Sequence, residues 1–409
     1  MKLNFNFKLS PITLALAIAI PSAQAAQVLE EVVVTASPIV GDDSRVTAEE
    51  LETSQAQDLN DIFRGQAEVA VGGSKSISQK IYVRGFEDTL LNVSIDGADQ
   101  SANLFHHQGR LSIEPEIIKQ VDVSAGAGRA TDGPGALAGS VKFVTKDAHD
   151  LLKSGEQFGA SVKAGYYTNN DGFKTSASLY GEITEGLGIL AHYTQLNTDE
   201  IVDGNGSEHP YSDVEQHAGL VKLSGNLNAK HYLSLSYDFR NDDGERLNRP
   251  HFHPSFKNEP LMQEADRGTF VANHKLSHSE LINLDTRLYS TTSHMAQLNH
   301  KKWGTSEGTQ DTLGAKFSNT SHFVDQSLEY GFDYRQDKGK LESSMDKTHQ
   351  EKGTVYGLFL QDDWQLTDSF VATFGARYDW YELNDDLGQE FKSNGFSPNV
   401  ALTGKLTIT

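Results

Sequence analysis

The sequence predicts an exported chain in two parts: a compact α/β unit of about a hundred residues, then an antiparallel transmembrane β-barrel of which about twelve strands are present. Three observations predict this. The chain opens on a secretory leader. Residues 47–146 mix short helical and strand patterns punctuated by glycine. From residue 158 onward, apolar and polar residues alternate with a period of two.

The leader covers residues 1–25. Lys2 and Lys8 make it positive, Ile12–Ile20 is an apolar core, and Ala23-Gln24-Ala25 is an A-x-A cleavage pattern. The core falls far short of the ~20 residues that a helical span needs, so the segment reads as an export signal. The chain has no cysteine, so it rests on no disulfides. Its formal charge is −21, and near −23 without the leader's two lysines, which argues against nucleic acid as a partner. Mean hydropathy is −0.47. Such a value ordinarily marks a soluble chain, but barrel strands average out polar because lipid-facing and lumen-facing residues alternate.

After the leader, residues 26–46 hold one isolated strand-former, "LEEVVVTAS", Leu29 to Ser37, with no core of its own. Residues 47–146 follow. "RVTAEELETS" and "DLNDIFRG" read as short helices. "IYVRGF", "LLNVSIDG", "IKQVDVSAG" and "GSVKFVTK" read as short strands. A polar link, 147–157, leads to the barrel region, 158–409. There "HYLSLSYDF" sets Leu233, Leu235, Tyr237 and Phe239 against Ser234, Ser236 and Asp238. "VATFGARYDW" sets Phe374, Ala376, Tyr378 and Trp380 against Thr373, Gly375, Arg377 and Asp379. Strands are expected to begin near Phe158, Phe173, Leu187, Gln216, Tyr232, Thr269, Leu281, Leu313, Ser327, Val355, Phe370 and Pro398. Short turns alternate with longer polar loops, expected at Thr198–Val214, Asn241–Asp266 and Arg335–Lys352, which is the habit of outer-membrane barrels. No nucleophile elbow, P-loop or HExxH pattern is present, so the chain is not read as an enzyme, and no cofactor is implied.

In its order of segments the chain resembles the TonB-dependent outer-membrane receptors. "EEVVVTA" (Glu30, Glu31, Val32, Val33, Val34, Thr35, Ala36) is similar to the family's TonB box. "IYVRGFEDTLLNVSIDGADQ" resembles the central motif of its plug domain, and Ile113–Lys146 the plug's closing stretch. "SANLFHHQGR" and "DAHDLL" look most like ferric-siderophore receptors of the enterobactin-receptor type.

The resemblance implies a plug inside a barrel of ~22 strands, a monomer in outer-membrane lipid, and import driven by TonB. TonB's periplasmic C-terminal domain would add Glu30–Ala36 to its own sheet edge. Arg84, Gly85, Asp96 and Gly97 would be structural in the plug. Ligand contact is expected at the plug apices, from Phe105, His106, His107 and Arg110. Aromatic rings suit a catecholate, and cations suit an anionic ferric complex. His251 and His253, in "NRPHFHPSF", form an H-x-H pair able to hold a metal or haem iron. The leading substrate is a ferric catecholate siderophore. Haem and free zinc are the alternatives. An outer-membrane barrel enzyme, or a non-functional truncated receptor, is the reading from another class. Twelve strands are about half the family's barrel, and the sequence ends on Thr409 rather than an aromatic strand, so the chain is expected to be a fragment. A closed twelve-stranded barrel would have too narrow a lumen for the plug.

Overall fold

The computed structural model describes residues 44–404 apart from 74, 75, 127, 253, 254 and 256. The leader, the segment Glu30–Ala36 and His253 therefore lie outside the described residues.

The α/β unit begins with β1 (Ser44–Thr47) and the helices α1 (Ala48–Ser54) and α2 (Leu59–Ile62). Thr47 caps α1 in a reciprocal box with Glu50, and Asp58 caps α2 by accepting from the Asp61 amide. Each side chain satisfies an amide that a helix start leaves without a partner. The strands are β2 (Val69–Gly72), β3 (Lys80–Val83), β4 (Phe86–Glu87), β5 (Asn92–Ile95), β6 (Ala98–Asp99), β7 (Ile118–Ala125) and β8 (Gly139–Thr145). One sheet has the order β1-β7-β8-β5-β6, with β5 and β8 parallel; a smaller sheet has the order β2-β3-β4. Both expected helices and all four expected strand segments are present.

The core of the unit is apolar. Ile81, Ile95, Ile113, Ile118 and Phe143 are almost wholly buried, and Phe63 meets Phe143 edge-on at 6.1 Å. Burying each such side chain contributes roughly 1.5–3 kcal/mol.

The barrel region forms one antiparallel sheet of twelve strands. They are β9 (Phe158–Tyr167), β10 (Gly172–Thr184), β11 (Leu187–Thr198), then, after the small hairpin β12 (Ile201–Val202) and β13 (Glu208–His209), β14 (Val214–Asn228), β15 (His231–Leu247), β16 (Pro260–Ser279), β17 (Ile282–His300), β18 (Gly304–His322), β19 (Gln326–Ser343), β20 (His349–Thr367), β21 (Phe370–Asn384) and β22 (Glu390–Gly404). Sequential strands are neighbours, and β9 and β22 are the two edges of the described sheet.

The alternation read from sequence holds. Leu179, Val221, Tyr237, Phe270 and Leu358 face outward and are exposed, whereas Ser234, Ser236, Asp238 and Arg377 face inward and are buried. Several strands run farther than expected. β16 starts at Pro260 rather than near Thr269, β18 at Gly304 rather than near Leu313, and β22 at Glu390 rather than near Pro398. The loop expected over Arg335–Lys352 is mostly strand and shrinks to 344–348. Backbone pairing needs no apolar face, so these ladders continue past the apolar band, where the side-chain pattern falls silent.

Candidate functional site

The α/β unit packs against the inward face of the barrel sheet through many polar contacts and two apolar ones, Leu190 and Leu220 joining the core of the unit and Val271 and Tyr289 meeting Ala98. Lys174 on β10 reaches Glu114 at 2.5 Å and Glu116 at 3.2 Å. Lys222 on β14 reaches Asp96 at 3.2 Å, and the same carboxylate accepts from the Thr145 amide and hydroxyl. Arg240 donates to the Ile113 carbonyl, Arg377 to the Ala130 carbonyl and Lys316 to the Thr131 carbonyl, each at 2.9 Å. Arg129 pairs with Asp363 at 2.5 Å, and Arg335 with Asp99 at 3.1 Å.

The predicted structural residues lie at tight turns. Arg84 and Gly85 both have positive φ, at 49° and 84°, and the Arg84 amide donates to the Glu68 carbonyl at 2.8 Å. Asp96 and Gly97, at 47° and 80°, turn the chain between β5 and β6. A Cβ on Gly97 would lie 2.1 Å from the Arg287 guanidinium, so that turn admits only glycine without displacing Arg287.

The predicted ligand residues meet a loop of the barrel. Phe105, His106 and His107 sit on the long connection between β6 and β7. His251 and Phe252 sit on the connection between β15 and β16. Though 144 residues apart, His107 Nδ1 and His251 Nε2 are 3.2 Å apart. His251 Nδ1 also lies 3.2 Å from the His107 carbonyl oxygen, which only accepts. The tautomers follow from this network. His251 carries its proton on Nδ1 and accepts at Nε2, while His107 donates from Nδ1 and keeps the lone pair of Nε2 free.

The rings make one cluster: His106 to His107 at 4.0 Å, Phe105 to His107 at 5.2 Å, His107 to His251 at 4.8 Å and His251 to Phe252 at 4.4 Å. Burial, with the neighbouring His106, His251 and Arg249, pushes the His107 imidazolium down to about 4. Burial also lowers His251. Both rings are neutral at pH 7, the form in which imidazole binds a metal. Lys80 supports the loop from below, donating to the His106 carbonyl at 2.8 Å and pairing with Glu87 at 2.5 Å.

Arg110 is not part of this cluster. It lies deeper, 3.6 Å from Asp88 and 3.4 Å from the Leu91 carbonyl. Phe252, Lys80 and Arg335 were missed as site residues from sequence. Phe252 stands inside the quoted "HFH", but nothing local marks Lys80 or Arg335. Among the described residues no group of three or more histidines, cysteines or acids is placed to hold a metal ion, so the zinc reading finds two donors there.

Two family models cover nearly the whole chain: TonB-dependent receptor plug domain over residues 38–140, and TonB-dependent receptor-like β-barrel over residues 146–406. The chain belongs to the TonB-dependent receptors, a family of plugged outer-membrane β-barrels. Among curated relatives, the heme transporter BhuA of Brucella ovis is 27% identical over 370 residues, covering 88% of this chain and 55% of its own length. The heme/hemopexin utilization protein C of Haemophilus influenzae is 24% identical, covering 82% and 54%. The chain thus spans about half the length of the curated relatives it matches. Among solved structures, the FrpB iron transporter from Neisseria meningitidis superposes with a TM-score of 0.81 at 22% identity, over 90% of this chain and 62% of that one, which shows the shared fold.

Proposed function

We propose that this chain belongs to an outer-membrane importer of haem, driven by TonB through the strand Glu30–Ala36. The observation that carries the proposal is the contact between His107 on the plug and His251 on a barrel loop, both held neutral and flanked by Phe105 and Phe252. Haem iron takes imidazole nitrogen as an axial ligand, and the flanking rings suit the flat face of a porphyrin. The free Nε2 of His107 is the ready donor.

The ferric-catecholate reading loses ground on the same observation. A negatively charged complex calls for fixed positive charge, and these histidines supply none at neutral pH. Of the two cations near the cluster, Lys80 is committed to Glu87 and Arg249 lies on the same loop as His251. The curated relatives named for haem favour the same choice. On this reading the import cycle runs in three steps. Haem binds across the plug and the outer loop, the pull on Glu30–Ala36 shifts the plug, and the plug–barrel ion pairs part.

The test is a side-by-side titration of the 409-residue chain, refolded in detergent, with haem and with a ferric tris-catecholate at pH 7.5. We expect a one-equivalent haem complex with a shifted Soret band and at least tenfold weaker binding of the catecholate. Tight catecholate binding with an unshifted Soret band overturns the proposal.

A further inference from the structure

The histidine pair is a contact between two exposed rings, and water competes for both. A second link between the same two loops lies where water is excluded. Gln108, the residue after His107, donates from Nε2 to Gln263 Oε1 on β16 at 3.2 Å. Gln263 Nε2 in turn donates to the Leu247 carbonyl at 2.8 Å. Leu247 is the last residue of β15, where the connection that carries His251 begins. Gln263 is 1% exposed and Gln108 7%.

The network fixes the orientation of the amide. The Leu247 carbonyl only accepts, so Gln263 turns its NH₂ toward it and its oxygen toward Gln108. One planar amide grips the plug loop with one end and the base of the barrel loop with the other. On the plug side a tight turn passes the grip to His107. The Gln108 amide donates to the Phe105 carbonyl at 2.9 Å, the Gly109 amide to the Ile77 carbonyl at 2.8 Å, and Lys80 holds the His106 carbonyl. A Cβ on Gly109 would lie 1.7 Å from the Gln79 carbonyl oxygen, so this loop sits hard against the plug. On the barrel side the Asn248 amide donates to the Glu259 carbonyl at 3.0 Å, and Asn258 accepts from the Arg249 amide at 2.8 Å, which closes the loop above its base. Each histidine is thus fixed to its own loop, and Gln263 joins the two loops through buried atoms. A bond between exposed partners exchanges readily with water, whereas a buried donor that loses its acceptor stays unsatisfied. The buried link, not the ring contact, therefore decides the register.

We propose that Gln263 is the positioning residue of the histidine site: its buried amide sets the plug loop against the barrel loop so that His107 meets His251 with Nε2 free for iron. The inference rests on the haem reading and adds to it how the two loops are kept together. The link is neutral at both ends, so it parts without stranding a charge when the plug shifts, and it breaks in the same step as the ring contact.

Gln108→Met and Gln263→Met remove the link from either side with little change in volume. In the full chain in detergent at pH 7.5, each is expected to weaken haem binding about fivefold and to move or broaden the Soret band. Both remove one link, so the double variant should bind no more weakly than Gln263→Met alone. Gln297→Met is the comparison. Gln297 sits beside Gln263 on β17 and donates to the Asn248 carbonyl at 3.5 Å, at the base of the same loop, but that bond stays within the barrel. It should leave the Soret band in place. Gln108 lies on a loop still held by Lys80 and Gly109, so Gln108→Met carries the test if Gln263→Met does not fold. Losses that add in the double variant, or an unmoved Soret band in Gln108→Met, overturn the proposal. A haem-free measurement stands beside this one. The chain has no cysteine, so spin labels on Asn103→Cys and Lys257→Cys report the distance between the loops. One narrow distance is expected with Gln108 in place and a broad distribution with Gln108→Met. Equal widths overturn the positioning role whether or not haem binds, whereas an absent Soret shift in the unsubstituted chain contradicts the haem reading alone.

Discussion

The plug's interior is apolar, whereas its boundary with the barrel is mostly polar, with apolar contacts at Leu190, Leu220, Val271 and Tyr289. Inside, Ile81, Ile118 and Phe143 are close-packed and apolar. At the boundary, Lys174, Lys222, Arg129 and Arg377 meet carboxylates and carbonyls. An apolar core resists opening because separation exposes its surface to water. At a polar boundary a part-exposed pair such as Arg129–Asp363 can be exchanged for water at small net cost, whereas a buried pair such as Lys174–Glu114 must part together or not at all. The difference teaches which region is held by burial of apolar surface and which by paired charge.

The largest expected effect lies in the core. Phe143→Ala should destabilise the plug by about 3–5 kcal/mol, read as lost hydrogen-exchange protection across β5, β7 and β8. Unchanged protection would mean that the barrel, not the core, holds the plug folded. Next is Lys174→Met, which leaves the buried Glu114 carboxylate unpaired. A cost of about 3 kcal/mol is expected, seen as faster proteolysis of the plug, and Glu114→Leu added to Lys174→Met should return most of it. If the double variant is as unstable as the single, the boundary is not a set of exchangeable contacts. Asp363→Asn removes the part-exposed partner of Arg129 and should cost about 1 kcal/mol or less, within the scatter of the same assay.

The smallest effect is on pH response. A histidine whose folded midpoint lies below its free value of ~6.5 adds nothing to stability above that value. As pH falls below it the unfolded or opened loop takes up the proton first, so the closed contact weakens progressively toward the folded midpoint of His107 at about 4. The loop contact should therefore weaken between pH 6.5 and 4, while haem affinity, set by the folded midpoint, should stay flat from pH 8 to about 5 and fall as pH approaches 4. Affinity that rises on acidification would show that the imidazolium, not the imidazole, makes the contact.

Much of this architecture is legible in the sequence, for physical reasons. Strand starts at Phe158, Leu187 and Phe370 can be read to the residue, because the outward face is apolar from its first position. The starts at Pro260, Gly304 and Glu390 cannot, because those strands begin beyond the apolar band and only the backbone ladder continues there. Phe105, His106, His107 and His251 stand out as residue types. Their meeting does not, since it depends on which strand carries the loop opposite the plug apex. Arg335 is invisible in the same way: it is one polar residue among many on an inward face, and only its contact with Asp99 distinguishes it. The resemblance to siderophore receptors pointed to cations at the apex, whereas burial holds His107 and His251 neutral there.

The central claim is that plug and barrel jointly hold haem iron through histidine, and the most direct measurement is the Soret titration of His107→Ala and His251→Ala against the unsubstituted chain at pH 7.5. The account predicts a histidine-ligated haem spectrum for the unsubstituted chain, and at least tenfold weaker binding with an altered Soret position for His107→Ala. It predicts a smaller loss for His251→Ala. Unchanged spectra and affinities in both variants would contradict it.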